Sequence, residues 1–206
     1  MPKTKTVKKG MLVIISAPGG GGKTSSIRAL LEMLPNSINL VTTTSRTPRP
    51  EDIPGTTYHF VSKKTFEKKI ASGDFLEYNL LADNYYGTQL RHLFPLLKKY
   101  DVVLWQLDVN GKKNLEKQKI PHLAIFLLPD KLANLEKRIL KRGGMTKDMA
   151  RKRMVIAKGE IARSKNYQYR VINKEGRLSE TIEKMAKIIE TELKTWPNLD
   201  KKPKIK

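Results

Sequence analysis

The chain contains no cysteine. That excludes a disulfide scaffold, a cysteine-ligated zinc site and a thiol nucleophile. Long apolar runs are also missing. The two longest, Met11–Ser16 and Leu123–Pro129, fall far short of the roughly 20 residues that cross a bilayer. No membrane partner is expected. The charges at the start of the chain are not followed by an apolar h-region of leader length, so no secretory leader is expected and a reducing, cytoplasmic setting is. Neither an internal repeat nor a low-complexity linker is visible. Acids are scarce: 20 Asp and Glu stand against 41 Lys and Arg, a formal charge of +21.

What is present fits a folded protein. The 206 residues are 39% hydrophobic and 30% charged, enough for one globular domain with small appendages and a sizeable core. Part of the basic surplus is terminal. Lys3, Lys5, Lys8 and Lys9 open the chain, and Lys201, Lys202, Lys204 and Lys206 close it. Residues 1–10 and 198–206 read as frayed basic tails. The rest of the surplus lies in the folded body and suits a polyanion, either nucleic acid or free nucleotides.

Met11–Ser16 is a continuous apolar run of strand length, the pattern of a strand buried on both faces. Glycines follow at once, and then Lys23–Leu34 with apolar Ile27, Leu30, Leu31 and Leu34 at helical spacing. Further strands are expected over Asn39–Thr44, Asp101–Leu107, Leu123–Leu128 and Arg170–Ile172. Helices are expected over Leu90–Lys99, Leu132–Lys141, Lys147–Arg163 and Leu178–Trp196. Alternating strands and helices predict an α/β fold with a mostly parallel sheet flanked by helices. Residues 41–88 break the alternation. Rich in Thr, Tyr, Pro and Gly, they read as an inserted, mixed or antiparallel subdomain.

Between the first strand and first helix stands Ala17-Pro18-Gly19-Gly20-Gly21-Gly22-Lys23-Thr24-Ser25. Apart from Ala17 it fits G-x-x-x-x-G-K-[ST], the phosphate-binding P-loop. Glycines let successive N–H groups face inward as an anion nest. The helix N-terminus points at the same place with its free N–H groups. Lys23 brings a full charge to the β- and γ-phosphates of a nucleoside triphosphate. The Thr24 hydroxyl is suited to ligate Mg2+. Residues 17–25 are therefore the expected ATP site.

The segment Thr42-Thr-Thr-Ser45-Arg46-Thr-Pro48-Arg49-Pro-Glu51-Asp52-Ile-Pro-Gly55-Thr-Thr-Tyr58-His-Phe60 carries the most information about the acceptor. Two guanidinium forks three residues apart, stiffened by Pro48 and Pro50, are suited to paired phosphate oxygens. Gly73-Asp-Phe75-Leu-Glu77 and Asn84-Tyr-Tyr86-Gly87-Thr88 follow. These motifs, in this order after a P-loop, resemble the guanylate kinase family, whose pattern here is T-T-R-x-P-R-x-G-E-x-x-G-x-x-Y-x-F. The resemblance runs from about Met11 to about Leu193. It implies a P-loop NTPase-like core (11–40, 89–130 and 165–197), a GMP-binding insert (41–88) and a helical lid (about 137–164). By resemblance, Arg46, Arg49, Tyr58 and Tyr86 hold the GMP phosphate, and Thr42, Glu77, Thr88 and Asp108 meet the guanine. One carboxylate such as Glu77 can accept both N1–H and the exocyclic amine of guanine, a donor pair adenine lacks.

Arg138-Ile-Leu-Lys-Arg142-Gly143 and Arg153-Met154 match the lid motifs of the family and mark Arg138, Arg142 and Arg153, with Lys23, as the catalytic cations. Asn173 is expected near the adenine. Three departures stand out. Glu51-Asp52 replace a glycine and a glutamate. Ser45 replaces a threonine. Gln106, in the strand Trp105-Gln106-Leu-Asp108-Val-Asn110-Gly111, stands where the family has a carboxylate that helps hold Mg2+. The resemblance implies transfer of the ATP γ-phosphoryl group to GMP, with Mg2+ as cofactor and dGMP as a second acceptor, by a monomer or small homo-oligomer. The alternatives are an inactive family module that binds proteins and a kinase for another nucleoside monophosphate. Charge alone would also admit a nucleic-acid-binding protein, but no reading module is recognisable, so nucleic acid is not the expected partner.

Overall fold

The computed structural model describes residues 10–50, 52–81, 83–141 and 146–196, with only the backbone for Leu90 and Lys147. Arg142, Glu51, residues 1–9 of the expected N-terminal tail (1–10) and the expected C-terminal tail (198–206) lie outside the described residues, whereas Gly10 is buried and its N–H donates to Leu97 O at 2.7 Å, so it belongs to the folded body. In chain order the first elements are β1 (Met11–Ser16), α1 (Lys23–Met33), β2 (Ser37–Asn39), β3 (Thr42–Thr44), β4 (Tyr58–Phe60), α2 (Lys63–Ala71), β5 (Phe75–Leu81) and β6 (Asn84–Gln89). Then come α3 (Leu90–Lys99), β7 (Val102–Gln106), α4 (Val109–Lys117), β8 (Leu123–Pro129), α5 (Leu132–Leu140), α6 (Lys147–Arg163), β9 (Tyr169–Asn173) and α7 (Leu178–Thr195).

The main sheet is five-stranded, order β2-β7-β1-β8-β9, and every pairing in it is parallel. β1 is central, with Val13 opposite both Leu104 and Leu123. Its side chains alternate between two cores, as strand geometry requires. Met11, Val13 and Ile15 meet Ile27 and Leu30 of α1 and Met185 and Ile189 of α7. Leu12 and Ile14 meet Leu93 of α3, Leu115 of α4, Trp105 and Phe126. An all-apolar strand needs both faces covered, and α1/α7 and α3/α4 cover them.

A second sheet, order β4-β3-β6-β5, is mixed. β3 and β4 run parallel, while β6 runs antiparallel to β3 and β5. Helix α2 closes it through Phe66, whose ring stacks on Phe75 at 4.2 Å and on Tyr85 at 5.1 Å. Helices α5 and α6 pack on each other around Leu135, Ile139, Ala150 and Ala157, a small core of their own. No helix among the described residues is long and apolar enough to cross a membrane.

The structure corrects the predicted elements in three places. Asn39–Thr44 is not one strand. β2 pairs with β7 and Leu40 N still donates to Leu104 O at 2.8 Å, after which the chain crosses to the second sheet. The strand through Trp105 ends at Gln106. Asp108 then caps α4, accepting from Asn110 N and Gly111 N. Helix α2 was not expected. Ser62 starts it by accepting from Thr65 N at 3.1 Å.

Phe66 is 0% exposed and is the buried residue of α2. Phe66→Ala should cost about 3–5 kcal/mol. In hydrogen exchange, the amides of β5 and β6 should open ahead of those of β1, and urea denaturation should show the loss.

Candidate active site

The six residues between β1 and α1 form a bent loop. Gly20 and Gly22 take positive φ, 80° and 93°. Gly22 needs both this conformation and the missing side chain, because a Cβ there would lie 2.6 Å from Asn173 Nδ2. Ala17 is not among the positive-φ residues, so its methyl adds no backbone strain. Gly22 caps α1 without a side-chain hydrogen bond, which leaves the first N–H groups of the helix to an anion. Lys23 folds back so that Nζ donates to Ala17 O. Asn173, expected near the adenine, braces the loop. Its Nδ2 donates to Gly21 O at 3.1 Å, and Thr181 Oγ1 donates to its Oδ1 at 3.3 Å.

The oxygens for a metal are neutral. Thr24 Oγ1 lies 3.3 Å from Gln106 Oε1. No group of three His, Asp or Glu side chains suited to a metal occurs among the described residues. Magnesium often keeps waters and phosphate oxygens as most of its ligands. Two neutral oxygens beside an anion-binding loop therefore fit Mg2+ that is carried by a triphosphate rather than caged by the protein.

The α5–α6 arm lies against this loop. A Cβ on Gly20 would meet Ile139 and Arg138. Arg138 Nε donates to Glu175 Oε2 at 2.7 Å. Arg153, half-buried on α6, makes no ion pair among the described residues. Glu160, also on α6, was not singled out in the sequence. Burial raises its pKa, and nearby Asp108 adds to this, while Lys23, Arg163 and the Gly19 N–H oppose it. Its carboxylate thus faces a loop N–H that a phosphate oxygen would otherwise take. The one available signal was an acid within a stretch where, from Lys131 to Arg177, 15 basic residues stand against 4 acidic.

The second sheet gathers most of the residues expected at the acceptor. Arg46 Nη2 donates to Asp52 Oδ2 at 2.7 Å, and the Arg49 backbone N–H donates to the same oxygen at 2.7 Å. Burial works against the Asp52 charge, but these two donors outweigh it and hold the carboxyl below its usual range. The displaced, shorter acid therefore does pair with an arginine. The Arg46 guanidinium stands 5.5 Å from the Tyr58 ring and 5.6 Å from the Phe60 ring. Tyr86 meets Tyr58 edge-on at 5.9 Å. Burial, with Tyr86 second, raises the Tyr58 pKa, so its hydroxyl stays a donor. Thr42 pairs with Tyr58 in register.

Glu77 and Thr88 face each other across β5 and β6. Glu77 is only 6% exposed. Burial and the Asp108 charge push its pKa up to about 8; the Thr88 hydroxyl and backbone N–H pull the other way. That hydroxyl makes no well-formed hydrogen bond, and neither does the buried Thr43 hydroxyl. A Cβ on Gly111 would lie 3.2 Å from Glu77 Oε2 and 2.5 Å from Leu107 Cδ1, so the acid requires glycine at the start of α4. Asp108, expected at the guanine, is already engaged. Its Oδ1 accepts from Asn110 N at 3.0 Å and Gly111 N at 2.7 Å, and its Oδ2 from Asn79 Nδ2 at 2.9 Å.

Between the ordinary 4.5 and about 8, folded Glu77 keeps a proton that the unfolded chain releases. Stability should therefore fall as pH rises through that window and stay lower above it. Urea denaturation at several pH values should show this slope in the wild type and a flatter one in Glu77→Gln.

A guanylate kinase family model matches residues 9–192. The guanylate kinase of Rickettsia bellii (strain RML369-C) is 35% identical over 189 residues, covering 92% of this chain and 98% of that protein. That of Vibrio parahaemolyticus serotype O3:K6 (strain RIMD 2210633) is 40% identical over 167 residues, covering 80% and 81%. The crystal structure of guanylate kinase from Anaplasma phagocytophilum shares the fold, with a TM-score of 0.72 at 23% identity over 90% of this chain and 87% of that one. With the phosphate loop, the second sheet and the family match spanning nearly its whole length, this chain belongs to the guanylate kinase family.

Proposed function

We propose that the chain transfers the γ-phosphoryl group of ATP to GMP, giving ADP and GDP. The observation that carries this reading is Glu77, a buried carboxyl with no ion pair among the described residues. Ionised, it can accept both N1–H and the amine of guanine, and the Thr88 hydroxyl stands beside it. Thr42 and Asp108 complete the base end, Asp108 chiefly by holding the first turn of α4. Arg46, Arg49, Tyr58 and Tyr86 take the GMP phosphate at the other end of the second sheet.

On the donor side the N–H groups of residues 17–25 cradle the ATP phosphates and Lys23 neutralises their charge. Thr24 and Gln106 are the residues that would hold magnesium; bound there, it would neutralise charge on the β- and γ-phosphates. The acceptor phosphate is already ionised, so no strong base is needed, and catalysis is alignment and charge stabilisation. The α5–α6 arm acts as the lid. It brings Arg138 and Arg153, with Arg142 from outside the described residues, onto the transferring group and excludes water. The core, insert and lid boundaries expected above, a cytoplasmic setting and dGMP as a second acceptor belong to the same proposal.

ADP release with Mg·ATP should be measured against AMP, GMP, dGMP, CMP, UMP and dTMP. The guanine nucleotides should be favoured in kcat/KM by about 100-fold or more, since the others leave Glu77 unmatched. Lys23→Ala should lower kcat by about 100-fold or more with the circular dichroism spectrum unchanged. A protonated Glu77 cannot accept both guanine donors. The KM for GMP should therefore fall as pH rises toward the Glu77 pKa of about 8, while that for ATP stays flat. Glu77→Gln should raise the KM for GMP alone and abolish this pH dependence.

A further inference from the structure

The α5–α6 arm re-enters the core through a 3-10 turn, Ser164–Asn166, followed by Tyr167. Three side chains buried there have no role in nucleotide contact as described above: Ser16 is 0% exposed, Lys112 4% and Tyr167 7%. Tyr167 OH donates to Ser16 Oγ at 2.8 Å, and Ser16 Oγ donates to Leu107 O at 2.6 Å. Lys112 Nζ donates to Asn166 O at 2.7 Å and to Glu116 Oε1 at 2.5 Å. The ammonium also stands 4.8 Å from the centroid of the Tyr167 ring. Phe126 of β8 also meets that ring, edge-on at 5.1 Å.

The partners matter for what they adjoin. Ser16 is the last residue of β1, next to the phosphate loop. The Leu107 carbonyl lies one residue before Asp108, the cap of α4. Asn166 lies in the turn by which the arm leaves α6. Arg163, the last residue of α6, adds a second tie by donating to Asn110 Oδ1 at 2.9 Å. One polar cluster thus fixes the donor loop, the segment behind Glu77 and the exit of the arm. Packing alone does not require it. A buried ammonium costs more than a leucine or methionine of similar bulk, unless its donors are all met in one geometry. Here they meet a carbonyl, a carboxylate and a ring face.

We propose that Tyr167 and Lys112 are positioning residues that form the fixed pivot of the arm, holding the phosphate loop and the Asp108 segment in mutual register while the arm moves. The inference rests on the phosphoryl-transfer reading only for its kinetic consequence. Neither residue touches a nucleotide in that reading, so the effect falls on alignment rather than on binding.

Tyr167→Phe removes one oxygen and keeps the ring. Lys112→Met removes the charge and keeps the stem. In each variant kcat should fall about tenfold while both KM values stay within about twofold, as expected when alignment is lost and ground-state contacts remain. Ser16→Ala added to Tyr167→Phe should cost less than the two single effects combined, because they share one hydrogen-bond chain. Hydrogen exchange of the protein without nucleotide should quicken at residues 17–22 and 107–111 and stay unchanged in β8. That readout does not depend on which substrate is used. If the wild type fails to phosphorylate GMP, the functional reading falls while the exchange pattern still decides the pivot. An unchanged kcat in Tyr167→Phe, additive effects with Ser16→Ala, or exchange that quickens uniformly across the molecule would overturn the proposal. Tyr167→Phe alone decides the matter if Lys112→Met does not fold.

Discussion

The immobility of β1 is the constraint on which the rest of the structure depends. It is buried on both faces and lies between two parallel neighbours, so it cannot shift without opening both cores. The short loop that leaves it inherits a fixed direction. Parallel strands put their carboxyl ends at one edge of the sheet, where ligands of such folds bind. β1 ends there in the phosphate loop, β7 in Gln106 and β9 in Asn173. The bonds from Asn173 to Gly21 and from Thr24 to Gln106 are consequences of that edge. The donor end is thus built by three strands.

The acceptor end follows a different logic. Two acids, Glu77 and Asp108, face the same small volume. Asp108 accepts three N–H bonds. Glu77 has only Thr88 beside it, so the proton resides there. Burial first, and the nearby Asp108 second, favour the neutral form of Glu77. The result is a neutral acid in the free protein that becomes an acceptor when a ligand supplies matching donors. Specificity for a base edge and reduced stability at higher pH are then two effects of one buried group. The Arg46–Asp52 pair has the opposite character, since it is satisfied in advance and stacked on Tyr58 and Phe60.

Much of this was legible in the chain because it is local. An apolar run followed by glycines and an amphipathic segment is a strand, a loop and a helix wherever it occurs. Ala17 through Ser25 needed no tertiary information. The break inside Asn39–Thr44 did, because Thr42–Thr44 has the composition of a strand but finds its partners in another sheet. Helix α2 escaped because four of the nine residues of Lys63–Ala71 are lysine and its burial depends on one residue, Phe66. The start of α4 was legible and was missed. Asp108 before Asn110 and Gly111 is an ordinary N-cap signal, obscured by reading the preceding strand too far. Glu160 is of another kind. Nothing within α6 distinguishes it, and its surroundings exist only when the arm is docked on the loop. Asn173 likewise acquires its role as a brace only through the sheet edge.

The arm itself has to reconcile two demands. In the proposed reaction it would have to move to carry cations onto the reacting group, and its own core is small: Leu135, Ile139, Ala150 and Ala157, with Val155 and Ile156 exposed. A unit held by so little apolar contact opens at low cost. Yet cations delivered an ångström out of line would stabilise little of the developing charge. The structure separates the two demands in space. Ile139 and Arg138 of the arm lie close to Gly20 of the phosphate loop, whereas the exit of the arm is tied by directed bonds, Arg163 to Asn110, Lys112 to Asn166 and Tyr167 to Ser16. In the proposed reaction, motion would be left to the α5–α6 helices, and the point about which they turn would be this tied exit.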